Sequence, residues 1–365
     1  MLRSVYYLQH LTASCFFYKT KISFKLEQLF QEVEKNIEKS MSTSSVALAL
    51  RALTQKNFEF FIENKTMFSQ KMNQSQGDLV ETNKHYHSDD YLTLLGLVSH
   101  KDKGILSEIW DLSLSCFLLH CLSYTGWLPP SSLSSKLSAD MEYLALLLVH
   151  LRGVTQFNTH QVAEMLSCEG GLLKSQEVGM AVRPTAALLN HSCWPNTVRC
   201  SVGSSVVIMA SFSIQPGEEV YDIYTESFHN IARVARQDKC RSYKFTCQCR
   251  ACKDDWPLLN DLPSALHQTP KSMLADKVPM QVVIKLGEEL NLVERKAREL
   301  FAAGQTWQAL LKWRDMCLLA ESFVKHPSKM FIIVRKQIQI CLWKLYGARI
   351  ARELENTWQQ ENQSY

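Results

Sequence analysis

Three cysteines within six residues, Cys247-x-Cys249-x-x-Cys252, place the first chemical constraint on this 365-residue chain. Thiolates at that spacing suit a structural Zn²⁺, which takes four soft ligands in a tetrahedron at about 2.3 Å. Gln248, Arg250, Lys253 and Asp254, between and after the cysteines, seek solvent, so this is not a buried apolar strand that happens to carry thiols. The fourth ligand must arrive from elsewhere. Cys193 is the best-placed candidate, and Cys240 is the alternative. Bound through Cys193, the ion would pin the C-terminal segment to the Asn190–Cys193 loop of the run Asn190-His191-Ser192-Cys193-Trp194-Pro195-Asn196, and its binding would contribute folding free energy directly. A four-cysteine site leaves no open coordination position, which excludes a zinc hydrolase.

The elements that must position these residues follow from periodicity. Residues 1–128 contain no proline, which favours helices. Leu26, Leu29, Phe30, Val33 and Ile37 fall on one helical face. Further helices are predicted over Val46–Ile62, Leu112–Tyr124 and Asp140–Arg152, with Ser69–Ser88 read as a polar loop. The period changes at Arg183. Val198, Cys200 and Val202 alternate with polar residues, Gly203-Ser204 offers a turn, and Val206–Met209 follows, which is the pattern of a hairpin. Gln215-Pro216-Gly217 supplies Pro and Gly for the centre of a type II turn, before a short strand at Val220–Tyr224. Pro257, Pro263, Pro270 and Pro279 then mark a meandering connection. Three helical segments, broken near Gly304 and Pro327, fill Val282–Glu355.

Composition bounds the rest. Hydrophobic content of 46% and charged content of 21% are ordinary globular values, and 365 residues can bury a sizeable core. A net charge of +4 without a basic block argues against direct nucleic-acid binding. The longest apolar run, Leu144–Val149, is far below the ~20 residues that span a bilayer. Twelve cysteines are too sparse for a disulfide scaffold at this length; Cys116, Cys121, Cys317 and Cys341 read as buried reduced thiols in helices. The first 26 residues carry Arg3, Lys19, Lys21 and Lys25 and no acid, a composition compatible with a mitochondrial transit peptide. A cytoplasmic or nuclear location is the main expectation.

The run Asn190–Asn196, with Pro216-Gly217-Glu218-Glu219, Tyr224, Tyr243-Lys244-Phe245 and the cysteine cluster, resembles the SET domain of the SMYD (SET-and-MYND) protein-lysine methyltransferases. The resemblance implies an α+β fold: a SET β-core with a pseudoknot formed by Arg183–Asn196, a post-SET zinc site, a helical insert and a helical tail of tetratricopeptide type. The corresponding divisions are 1–43 (unmatched), 44–157 (helical region and insert), 158–245 (catalytic half), 246–257 (zinc segment) and 258–365 (helical tail). It further implies that Asn190 and His191 hold S-adenosylmethionine, that Tyr224 and Tyr243 line the catalytic channel, and that Phe245 packs against the cofactor. Tyr224 also borders the cofactor, and Asn158 matches an asparagine near its methionine tail. The implied partner is a protein substrate lysine, histone or non-histone, with the C-terminal helices open to other proteins. Glu218 and Glu219, beside the Pro-Gly turn, are expected to face solvent or a partner rather than act as bases.

The family's Gly-x-Gly turn and MYND finger have no counterpart here: Gly77 and Gly96 are the only glycines before position 100, and no cysteine lies between Cys15 and Cys116. The expectation is an N-terminally truncated product that binds cofactor weakly. The rival expectation is a catalytically silent, zinc-stapled interaction module.

Overall fold

The computed structural model describes residues 43–73, 90–100, 105–129, 138–167, 173–202, 205–263, 266–275 and 278–347. The helical face read at Leu26–Ile37 lies outside them. The chain divides into two compact units, one comprising 1–162 with 178–188 and the other 163–177 with 189–365.

The first unit is helical: α1 (Thr43–Thr54), α2 (Phe58–Glu63), α3 (Lys65–Asn73), α4 (Tyr91–Leu95), α5 (Ile105–Ser123) and α6 (Ala139–Asn158). The single helix expected over Val46–Ile62 is broken, because the Asn57 side chain caps α2 by accepting the Phe60 N–H. The loop expected at Ser69–Ser88 begins instead as α3. Phe68 and Met72, four residues apart, are buried on one face, and that burial outweighs the polar composition. Helix α6 starts on a Ser138 cap, with Asp140 and Glu142 favourably placed in its first turn, and most of its length is buried. Leu144, Leu147, Leu148 and Leu151 meet Leu50 and Leu53 of α1 and Leu118 and Leu122 of α5 in one core.

Strands β1 (Thr159–Ser167) and β2 (Leu173–Val182) pair with each other. The sequence reading began the strands at Arg183 and missed both. A short helix, α7 (Pro184–Ala187), follows.

In the second unit, β3 (Asn190–His191) pairs in parallel with β6 (Tyr221–Asp222). The predicted hairpin is present as β4 (Thr197–Val202) and β5 (Ser205–Ala210), paired from Thr197–Ala210 to Val202–Ser205. The Pro-Gly turn forms as expected: Gly217 has φ +85°, and the Glu218 N–H donates to the Gln215 carbonyl at 2.9 Å. Helices α8 (Arg233–Ser242) and α9 (Arg250–Lys253) lead to three 3₁₀ turns in the proline-rich connection. Then come α10 (Met280–Ala302), α11 (Thr306–Glu321) and α12 (Lys329–Leu342), broken where Gly304 and Pro327 predicted. Val283, Leu290, Trp313, Met316, Phe331 and Ile338 form a core with Val198 and Cys200 of β4. No described helix is long and apolar enough to cross a membrane.

Candidate functional site

The Asn190–Asn196 loop is held by backbone bonds from two sides. Ser192 N–H donates to the Asp222 carbonyl at 2.9 Å, and Phe228 N–H to the Cys193 carbonyl at 3.0 Å. Asn196 clamps the next strand: its Oδ1 accepts from Tyr221 N–H at 2.8 Å, and its Nδ2 donates to the Glu219 carbonyl at 2.9 Å. Arg199 of β4 pairs with the buried Asp222, so the charge beneath this loop is compensated.

Cys193, Cys247, Cys249 and Cys252 converge, with their sulfurs within 4.8 Å of one another. Cys193 Sγ lies 3.9 Å from Cys247 Sγ and 3.6 Å from Cys252 Sγ. A tetrahedron with 2.3 Å zinc–sulfur bonds has edges of about 3.8 Å, so these spacings fit the ion. Cys193, Cys247 and Cys252 are buried and Cys249 is partly exposed. Cys240 is also buried but is not one of the four, which leaves Cys193 as the fourth donor. Without metal the thiols compete for protons. Hydrogen bonds led by the one from Cys193 hold Cys247 far below the usual thiol range, and hydrogen bonds led by the one with Cys240, then Cys247, push Cys193 up. Gln237, unnoticed in the sequence, fixes Cys247 from α8: its Nε2 donates to the Cys247 carbonyl at 2.8 Å, and its Oε1 accepts from the Cys247 N–H at 3.0 Å.

Beside the cysteines lies an aromatic cluster. The His191 ring sits 5.4 Å from Tyr224 and 5.7 Å from Phe245, and Tyr224 is 5.5 Å from Tyr243. Tyr224, Tyr243 and Phe245 are partly exposed, whereas His191 is buried. Their placement depends on the end of α8. Lys244 takes a left-handed conformation (φ +65°) where glycine is usual. Its N–H donates to Arg241 and that of Phe245 to Cys240, closing the helix and setting Tyr243 and Phe245 on either side of the turn.

Burial pushes Tyr224 up to about 12, with Asp222 and Tyr243 adding to the effect; burial also raises Tyr243. Both phenols therefore stay neutral at pH 7. Tyr224 O–H donates to the Leu189 carbonyl at 2.5 Å. His191 joins the two centres: its Nδ1 accepts from Tyr224 N–H at 2.9 Å, and its Nε2 faces Cys193 Sγ at 3.4 Å. Burial disfavours a charged ring, whereas hydrogen bonds with Cys240 and Cys247 favour it and lift His191 to about 9. The Tyr224 N–H nonetheless needs a lone pair at Nδ1, so the backbone contact keeps the ring neutral with its proton on Nε2.

Asn190 is exposed, and its Nδ2 donates to Glu219 Oε1 at 2.6 Å. Glu219 also accepts from Tyr221 O–H at 2.8 Å. Glu218 accepts the Gln215 N–H within its own turn. Asn158 belongs to the helical unit, where its Nδ2 donates to the Val98 and Val154 carbonyls at 2.6 and 2.8 Å.

A parallel β3–β6 pair over a four-cysteine cluster, with tyrosines at its rim, agrees with the family comparison. The SET domain model matches residues 19–225, more than half of the chain, and the chain belongs to the SET-domain family. Within that family it falls in the SMYD group. The N-lysine methyltransferase SMYD2 of Gallus gallus is 38% identical over 112 residues, which is 27% of this chain and 25% of that protein. SMYD2 of Homo sapiens is 36% identical over 91 residues, 24% of this chain and 21% of that protein. SMYD2-A of Xenopus laevis is 36% identical over 121 residues, 30% of this chain and 27% of that protein. The chain thus matches about a quarter of the length of these curated relatives.

Proposed function

We propose that the chain methylates protein lysines with S-adenosylmethionine, using Tyr224 and Tyr243 as catalytic residues and Asn190, His191 and Phe245 as cofactor contacts. The observation that carries this reading is the convergence of His191, Tyr224, Tyr243 and Phe245 beside the cysteine cluster. Zn²⁺ on Cys193, Cys247, Cys249 and Cys252 serves as the structural staple of that corner.

S-adenosylmethionine, when bound, supplies a methyl group on a sulfonium. The lysine must arrive as a neutral amine, and removing its proton costs about 4–5 kcal/mol at pH 7. Neutral phenols are poor bases, so Tyr224 and Tyr243 orient the amine rather than deprotonate it. Because Tyr224 donates its own proton to Leu189, its oxygen is left as an acceptor for an amine N–H. Loss of water around the amine in the channel beside Tyr224 and Tyr243 disfavours a charged ammonium and so lowers the lysine pKa. Alignment of the lone pair then supplies the remaining advantage.

Titration calorimetry with S-adenosylmethionine tests the reading. Binding that weakens strongly in Phe245→Ala supports it. A zinc-loaded, folded chain that binds no cofactor would instead be a silent interaction module.

A further inference from the structure

Arg236 of α8 has no exposed surface, and no carboxylate among the described residues forms an ion pair with it. Its Nη1 donates to the Phe228 and Ile231 carbonyls at 3.2 and 2.7 Å, and its Nη2 to the Ala251 carbonyl at 3.4 Å. The remaining Nη2 contact is Cys252 Sγ at 3.9 Å. Its Nε has no partner. Carbonyl dipoles satisfy protons, but a guanidinium taken wholly out of water also requires an opposite charge. The group within reach that can carry one is the cysteine cluster. Four thiolates around a divalent ion remain a dianion, itself buried and in need of compensation.

We propose that Arg236 is the buried counter-ion of the metal–thiolate centre. Three main-chain carbonyls fix its guanidinium, and its charge offsets the centre from the Cys252 side. On the Cys193 side, His191 contributes a neutral N–H. The proposal rests on the reading that these cysteines hold a divalent ion, and it adds a positioning residue that supports the ligands without touching the metal. An arginine serving only as a carbonyl clamp would be replaceable by a neutral donor; a counter-ion would not.

The test uses the full chain loaded with zinc, with zinc retention measured against a chromogenic chelator in wild type, Arg236→Lys and Arg236→Gln. Outer-shell partners of metal ligands are worth about 10–100-fold in affinity. Arg236→Gln should lose zinc affinity by that factor, while Arg236→Lys, which keeps the charge, should stay close to wild type. An Arg236→Gln chain that does not fold beside an Arg236→Lys chain that folds and holds zinc also supports the proposal. Wild-type retention in Arg236→Gln overturns it, as does an Arg236→Lys chain that either fails to fold or releases zinc as readily as Arg236→Gln. A wild-type chain that binds no zinc defeats the underlying metal reading instead, and the two failures are distinguishable.

Discussion

Acid should destabilise the second unit through His326. Its Nδ1 accepts from Trp194 Nε1–H at 3.2 Å, and its ring lies 4.2 Å from Phe331, so the native contact requires the neutral imidazole. Burial, with Arg250 as the nearby charge, lowers His326 to about 4 from 6.5. Below pH 6.5 the unfolded chain takes up a proton that the folded chain refuses until about pH 4. Stability is therefore full above that upper value and falls as the pH drops between the two. At about 1.4 kcal/mol per pH unit the loss approaches roughly 3.4 kcal/mol, and the ring's partly exposed edge reduces this to about 2 kcal/mol. His229, lowered to about 4 by burial and then by Arg335 and Lys336, adds a loss of the same sign. Denaturant titrations near pH 7 and pH 4.5, on wild type and on His326→Asn, isolate the contribution. Asparagine can still accept from Trp194 but does not titrate, and any acid release of zinc is common to both chains. Wild type should lose about 1.4 kcal/mol more than the variant over this interval, because pH 4.5 stops short of the folded-state value of about 4. Equal losses would refute the reasoning.

Three further outcomes are expected. Cys249→Ser should abolish the single zinc seen by native mass spectrometry and lower the melting temperature, because binding of the ion contributes to folding. Lys244→Gly should relieve the left-handed backbone at φ +65° and stabilise the chain by up to about 1 kcal/mol, read as a few degrees in calorimetry. Gly153→Ala should destabilise the helical unit by about 1–3 kcal/mol in denaturant titration, since an added Cβ would meet the Ser99 carbonyl oxygen at 2.5 Å.

The cysteine spacing made the four-cysteine cluster legible, because the capacity to hold a soft metal is written in residue type. The hairpin at β4–β5 and the breaks between α10, α11 and α12 were legible for similar reasons: alternation, glycine and proline act locally. The β1–β2 pair was missed because its two strands lack clean alternation, although Gly170-Gly171 stood between them as a turn signal. Arg236 and Gln237 were missed because their roles depend on what α8 packs against. The available clue was that Arg236 lies four residues before Cys240, on the same helical face. Lys244 offered no signal, since its left-handed backbone occurs where the sequence lacks glycine. The bond from Asn190 to Glu219 crosses 29 residues, and no local pattern encodes it.

The proposal for the site turns on one hydroxyl, so the most direct measurement is methyl transfer from labelled S-adenosylmethionine to protein lysine by wild type and Tyr243→Phe, with zinc content and cofactor affinity recorded alongside. Turnover in Tyr243→Phe should fall by about 10–100-fold while zinc and cofactor affinity stay unchanged, because the ring remains and only the orienting oxygen is removed. Undiminished turnover, or a loss of zinc in the variant, would contradict the assignment and leave Tyr243 as a packing residue.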